Sequence, residues 1–167
     1  MVAFFLPRFP MHQKGIKLIV DNCVELSELA LVSFPGRDAV TYLCKNLTSK
    51  IRKLTIRPIT TISDNDVEIL TKRCKDLTCL QIGGPLGLSN QGLTIIIKNL
   101  SQSLEKLAFA YHHSRNIHLE KFLEFQKMTK LTHLCLVGCQ CRPGMKEWKI
   151  FFEKHFPKLR VTFDTEQ

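Results

Sequence analysis

Long hydrophobic runs are missing from this 167-residue chain. None approaches the ~18–20 consecutive apolar residues that a membrane-spanning helix needs, so no membrane association is expected. Glycine and proline are scarce, at 8 and 7 residues, which excludes a collagen-like chain or a low-complexity linker. A phosphate-binding loop is missing too. The only glycine-rich stretch, Gly83-Gly84-Pro85-Leu86-Gly87, lacks the lysine and serine of such a loop, and its spacing is wrong for a dinucleotide fingerprint. It reads as a turn between a strand and a helix. Nothing in the order of serine, cysteine and histidine residues sets a nucleophile beside a base. The chain is therefore expected not to be an enzyme, and no cofactor is expected.

Cysteine is present, but in odd number: Cys23, Cys44, Cys74, Cys79, Cys135, Cys139 and Cys141. That count does not suit a disulfide framework. It suits buried, reduced thiols in a cytoplasmic or nuclear protein. His133, Cys135, Cys139 and Cys141 invite a zinc reading, but a structural zinc site uses ligand pairs commonly two residues apart. Here the cysteines are separated by three residues and then by one, so ordinary thiols are expected and no metal. His112, His113 and His118 have no carboxylate or thiol spaced to complete a ligand set and read as a polar loop. At the N-terminus, Pro7, Arg8 and Pro10 interrupt a short apolar run before it reaches the length of an export signal. Residues 1–10 are expected to be irregular.

The composition is that of a single globular domain spanning residues 1–167, with 44% hydrophobic and 23% charged residues. Lysine and arginine number 24 against 15 acidic residues, a net charge of +9. The surplus is dispersed: nine basic and four acidic residues lie in 1–60, five of each in 61–111, and ten and six in 112–167. A nucleic-acid surface usually concentrates basic residues and interleaves aromatics. The densest run, Lys50-Ile51-Arg52-Lys53-Leu54-Thr55-Ile56-Arg57, reads instead as a solvated strand face. Nucleic acid is not the expected partner.

A repeat dominates the chain. The pattern apolar-x-x-apolar-x-apolar occurs as Leu26–Leu31, Ile51–Ile56, Leu77–Ile82, Leu104–Phe109 and Leu131–Leu136, with a degenerate copy at Leu159–Phe163. The starts at 26, 51, 77, 104, 131 and 159 are 25 to 28 residues apart, within the ~20–29-residue period of leucine-rich repeats. Helical signals fill the intervals. Ser63 or Asp64 is a natural N-cap for a helix whose Val67, Leu70 and Cys74 share one face. Ser89 and Asn90 open a second, with Leu93, Ile96, Ile97 and Leu100 along it. Gly15–Cys23 looks like an earlier helix, and Val40, Leu43, Phe122, Phe125, Trp148, Phe151 and Phe152 take matching places in other copies. Each unit is a short strand, a turn and a helix, and no unit of this size buries its apolar face alone. The expected fold is α/β, a leucine-rich-repeat solenoid of about five to six repeats. It should be a curved horseshoe with a parallel sheet on the concave face and helices on the convex one. Trp148, Phe151 and Phe152 are expected to cap its C-terminal end.

The stretch Ile62-Ser63-Asp64 … Val67 … Leu70 … Cys74 … Leu77-Thr78-Cys79-Leu80-Gln81-Ile82 closely resembles the cysteine-containing class of leucine-rich repeats. Leu134-Cys135-Leu136-Val137-Gly138-Cys139 matches the same class. Those repeats are most familiar from the F-box/leucine-rich-repeat proteins, substrate receptors of cullin-based ubiquitin ligases. The resemblance covers roughly residues 11–163 and implies a protein-interaction module that recognises a substrate for ubiquitination. An F-box itself is not recognisable, residues 1–22 being too short for one, so docking to a cullin-ligase adaptor is expected only of a longer form. The alternative is a free-standing scaffold or inhibitor that binds a partner without a ligase.

Side chains alternate between the two faces of a strand. With the leucines inward, the exposed positions are Glu28, Ala30 and Val32; Lys53, Thr55 and Arg57; Cys79, Gln81 and Gly83; Lys106, Ala108 and Ala110; and His133, Cys135 and Val137. The candidate partner-binding residues on this concave face are Lys53, Thr55, Arg57, Gln81, Lys106, His133 and Cys135. The basic members either favour an acidic or phosphorylated protein partner through charge-assisted hydrogen bonds or merely solvate the face.

Overall fold

The structure is a computed structural model that describes residues 2–6, 13–32, 36–57, 60–83, 86–110, 118–137 and 144–164. It is an α/β arrangement around a seven-stranded sheet. The strands are β1 (Val2–Leu6), β2 (Leu26–Val32), β3 (Lys53–Arg57), β5 (Cys79–Gly83), β7 (Lys106–Ala110), β8 (His133–Val137) and β9 (Arg160–Asp164). They lie side by side in chain order, and every neighbouring pair is parallel. Parallel neighbours require a crossover connection, here one helix between each successive pair of these strands. These are α1 (Gln13–Asn22), α2 (Arg37–Asn46), α3 (Asp64–Arg73), α4 (Asn90–Leu100), a 3-10 helix (Leu119–Lys127) and α5 (Met145–His155). Each helix packs against its neighbours in the same order as the strands. A minor ladder joins β4 (Ile62–Ser63) to β6 (Leu86–Gly87) just before α3 and α4.

Alternation along the strands decides which face is buried. Leu29, Leu54, Leu80, Leu107 and Leu134 stand in one row and Leu31, Ile56, Ile82, Phe109 and Leu136 in the next. All are 2% exposed or less. The helices supply the opposite wall through Ile16, Val40, Leu43, Val67, Leu70, Leu93, Ile96, Phe122 and Trp148. Just past the helices, Leu47, Cys74, Met128 and Phe156 occupy equivalent positions, each donating its N–H to a carbonyl of the preceding turn. Leucine, methionine and phenylalanine thus fill the site that cysteine fills after α3.

The helix starts are tied from unit to unit. Ser63 caps α3 and forms a reciprocal capping box with Asp66. Arg37, at the start of α2, reaches Asp66 Oδ2 at 2.6 Å, Ser63 Oγ at 3.2 Å and the Thr61 carbonyl at 2.8 Å. Asp64 accepts from the Ser89 N–H at 2.9 Å and the Ser89 hydroxyl at 2.6 Å, while Ser89 caps α4. Asn90 repeats the pattern by accepting from the His118 N–H at 3.1 Å. Gly92 makes room for this chain of bonds, since a Cβ there would collide with the Asp64 carboxylate and the Leu88 side chain.

Four expectations are corrected. Val2–Leu6, expected to be irregular, is strand β1, in register with β2 from Ala3–Glu28 to Leu6–Leu31. The sheet therefore has one more strand than the motif starts suggested. From β3 to β8 the strands begin two residues into each motif, at 53, 79, 106 and 133, because Ile51, Leu77, Leu104 and Leu131 still close the preceding turn. The last copy is shifted by one residue: Val161 pairs with Leu134 and Phe163 with Leu136, so Leu159 lies level with Thr132 and not with Leu131. Phe4, Leu29, Leu54, Leu80, Leu107, Leu134 and Val161 are then spaced 25, 25, 26, 27, 27 and 27 residues apart. Finally, Leu119–Lys127 is a 3-10 helix and not an α-helix. Leu119, Phe122, Phe125 and Met128 recur every three residues, and only a three-residue turn aligns them all on one face.

Among the described residues, no helix is long and apolar enough to cross a membrane.

Candidate functional site

The face of the sheet away from the leucine rows carries the candidate residues. Register sorts them into rows that run across the strands. The first row is Glu28, Lys53, Cys79, Lys106, His133 and Arg160. The second is Ala30, Thr55, Gln81, Ala108, Cys135 and Thr162. In the third, Val32 pairs with Arg57 at one end, and Gly83, Ala110, Val137 and Asp164 align at the other. Lys53, Lys106, Arg160 and Thr162 are exposed; Glu28, Thr55, Arg57, Cys79, Gln81, Ala108, His133 and Cys135 are half-buried. Gly83 departs from its expected exposure and is buried.

The seven residues predicted from sequence are thus brought together on one face: Lys53, Lys106 and His133 in the first row, Thr55, Gln81 and Cys135 in the second, and Arg57 in the third. Two features were missed. Arg160 and Thr162 extend the first two rows onto β9, hidden because the apolar pattern of the last copy starts at Leu159, one residue after the position equivalent to Leu131. Glu28 is a counter-ion: its Oε1 lies 2.8 Å from Lys53 Nζ. That hydrogen bond, followed by the Glu28 charge, raises the Lys53 pKa. Adjacent strands place the two at matched positions, where opposite charges attract.

The neutralisation is local. Lys106 and Arg160 have no ion pair among the described residues, and the one side-chain hydrogen bond of His133 among them is to its neighbour, with Nδ1 2.8 Å from Thr132 Oγ1. Cys79 sits between Lys53 and Lys106. Burial raises its thiol pKa, and the two lysines oppose that shift without reversing it. Thr55 Oγ1 and Gln81 Oε1 approach at 3.4 Å, a weak bond that leaves both side chains able to serve another partner. Arg57 Nε is buried with no hydrogen-bond partner among the described residues.

A second feature lies at the end of the sheet. Val161 and Phe163 occupy the leucine rows of β9 yet are only half-buried. Beside them a cavity of about 470 Å³ is lined by Phe152, Phe156, Leu159, Val161 and Phe163, with Lys149 and Glu153 at its margin. Trp148 and Phe152 are buried and meet the Phe122 ring edge-on at centroid distances of 5.2 and 5.5 Å. They seal the layer inward of β9 and leave β9 itself partly open.

No group of three or more histidine, cysteine, aspartate or glutamate side chains is placed to hold a metal among the described residues. His133 and Cys135 are described and lie two residues apart on β8; Cys139, Cys141, His112 and His113 lie outside the described residues. No protein-family model matches the chain, and no curated protein matches its sequence.

Proposed function

We propose that the chain is a non-catalytic protein-interaction module of the leucine-rich-repeat solenoid type, and that the exposed sheet face is its binding surface. The observation that carries the reading is the register. Seven parallel strands in chain order, stepping by 25 to 27 residues, fit units that each shelter the next. Helices are wider than strands, so such a stack bends with its sheet inside, and the exposed rows become a concave surface. A broad, polar, hydrogen-bonding face of this kind suits a folded or extended protein partner better than a small substrate.

The resemblance to cysteine-containing repeats makes substrate recognition for a cullin ubiquitin ligase the leading role, with an acidic or phosphorylated protein as ligand and a cytoplasmic or nuclear setting. Docking to the ligase adaptor would belong to an F-box in a longer form. One of the expected thiols supports this assignment: Cys74 is fully buried at the close of α3 and hydrogen-bonds the Thr48 carbonyl of the preceding unit at 3.6 Å.

The test is affinity purification of the intact protein and of a charge-reversed form, Lys53→Glu/Arg57→Glu/Lys106→Glu. The reading predicts a protein partner that is retained by the wild type and lost from the variant, and whose turnover in cells depends on a cullin ligase. A partner held equally by both forms would remove the exposed face as the site. A partner whose turnover does not depend on a cullin ligase would leave a scaffold or inhibitor.

A further inference from the structure

The charge on the exposed face is divided into two unequal ends. At β2 and β3, Glu28 balances Lys53. At β7, β8 and β9, Lys106, His133 and Arg160 stand opposite one another with no acidic side chain paired to them among the described residues. Parallel strands are ~4.8 Å apart, so Lys106 and Arg160 flank His133 at about 10 Å from one another. Lysine and arginine side chains are long enough to converge from that distance on one anion held above the histidine.

The neighbouring row supplies space. Ala108, Cys135 and Thr162 lie beside the three basic residues, and none is large enough to cover them. What the face lacks is equally informative. On β7, β8 and β9 no phenylalanine, tyrosine or tryptophan occupies the exposed rows, and Phe5, level with Ala30 in the second row, lies at the far end of the sheet on β1. Single-stranded nucleic acids are usually held by base stacking on aromatic rings as well as by charge, and no such ring stands at an exposed position of the three strands that carry the basic residues.

We propose that Lys106, His133 and Arg160 form a phosphate-reading site for a phosphorylated segment of the protein partner. The proposal rests on the exposed sheet face being the partner-binding surface. A phosphoserine or phosphothreonine carries close to two negative charges and three acceptor oxygens on one atom. Three donors on adjacent strands match that geometry, and the arginine fork adds a bidentate contact. A glutamate offers one charge and a planar pair of oxygens, and engages fewer of the three donors at once. Lys53, already held by Glu28, lies outside the site.

Fluorescence anisotropy on the full chain tests this with three degenerate peptide libraries, identical except for phosphoserine, serine or glutamate at the fixed central position. The phosphoserine library should bind about tenfold or more tightly than either of the others. Lys106→Glu with Arg160→Glu should remove that preference, and His133→Ala should reduce it. Lys45→Glu, exposed on α2, should leave it unchanged; circular dichroism checks that every variant is folded. Equal affinity for the three libraries would overturn the proposal, as would absence of binding. So would a preference for phosphoserine that survives Lys106→Glu/Arg160→Glu. Tighter, steeply salt-dependent binding of an oligouridine would also overturn it, in favour of a nucleic-acid site. If the serine library binds and Gln81→Ala or Lys106→Glu weakens it, the protein-binding face stands and only the phosphate site falls. If no substitution on the sheet face changes any binding, both readings fall.

Discussion

Burying an ionised carboxylate is unfavourable unless donors surround it. Asp66 is buried, and a single oxygen, Oδ2, meets the requirement with the Arg37 guanidinium, the Ser63 hydroxyl and the Ser63 N–H. Its other oxygen has no partner among the described residues. One side chain therefore closes a helix cap and joins α2 to α3. Asp66→Ala should destabilise the protein by about 2 kcal/mol, the combined cost of a lost cap and of stranded donors, read as a fall in the urea midpoint. Two thiols tell the complementary story. Burial, the largest cause in both cases, raises Cys44 from an ordinary 9.0 to about 12, helped by the nearby Asp66 charge, and raises Cys74 to about 11. The unfolded thiols ionise near pH 9 and the folded ones do not. Stability from these groups is accordingly complete below pH 9 and falls as pH rises toward 11 and 12. In the native protein at pH 8, iodoacetamide should leave both unlabelled while it labels the half-buried Cys23, with peptide mass spectrometry as the readout. Rapid native labelling of Cys44 would contradict the packing. That these cysteines are reduced and internal was legible from their odd number and repeat spacing. The Arg37–Asp66 clamp was not, because the partners are 29 residues apart and nothing in either segment names the other.

Among the elements, legibility followed how fully a segment matched a known period. The strands at 53–57, 79–83, 106–110 and 133–137 announced their buried rows through alternation, and Ser63 and Ser89 announced the starts of α3 and α4. Strand β1 escaped notice although Met1, Phe4 and Leu6 fit the same apolar-x-x-apolar-x-apolar pattern. The prolines that follow argued for irregularity, yet proline is harmless once the strand has ended. The 3-10 helix escaped because phenylalanines three apart also fit an α-helical face for one turn; only the full series from Leu119 to Met128 distinguishes the two periods. Gly92 gives the element scale its sharpest test. In an exposed helix interior, alanine is favoured over glycine by ~1 kcal/mol. Here the added methyl would strike the Asp64 carboxylate and Leu88, so Gly92→Ala should lower stability by about 1–3 kcal/mol in a thermal melt. An increase in Tm would show that α3 and α4 are not locked at their N-termini as described.

The whole molecule is governed by register. Because side chains alternate with a period of two, a one-residue shift exchanges the faces of a strand. Counting the last motif from Leu159 would have turned Val161 and Phe163 outward. Pairing with β8 instead turns Arg160 and Thr162 outward and completes the basic row. The sequence could place Lys53, Thr55, Arg57, Gln81, Lys106, His133 and Cys135 on a common face because each lies in a well-formed copy. It could not show that Glu28 silences Lys53 and leaves the opposite end charged, since that depends on which side chains meet across strands. The claim on which the functional account turns is that this face, and not the helical layer, meets another protein. Site-specific photo-crosslinking in intact cells measures it directly, with a benzoylphenylalanine placed in turn at Gln81 and Cys135 on the sheet and at Lys45 on α2. The account predicts the same discrete protein adduct from both sheet positions and none from Lys45. Adducts from Lys45 alone, or none from the sheet, would contradict it.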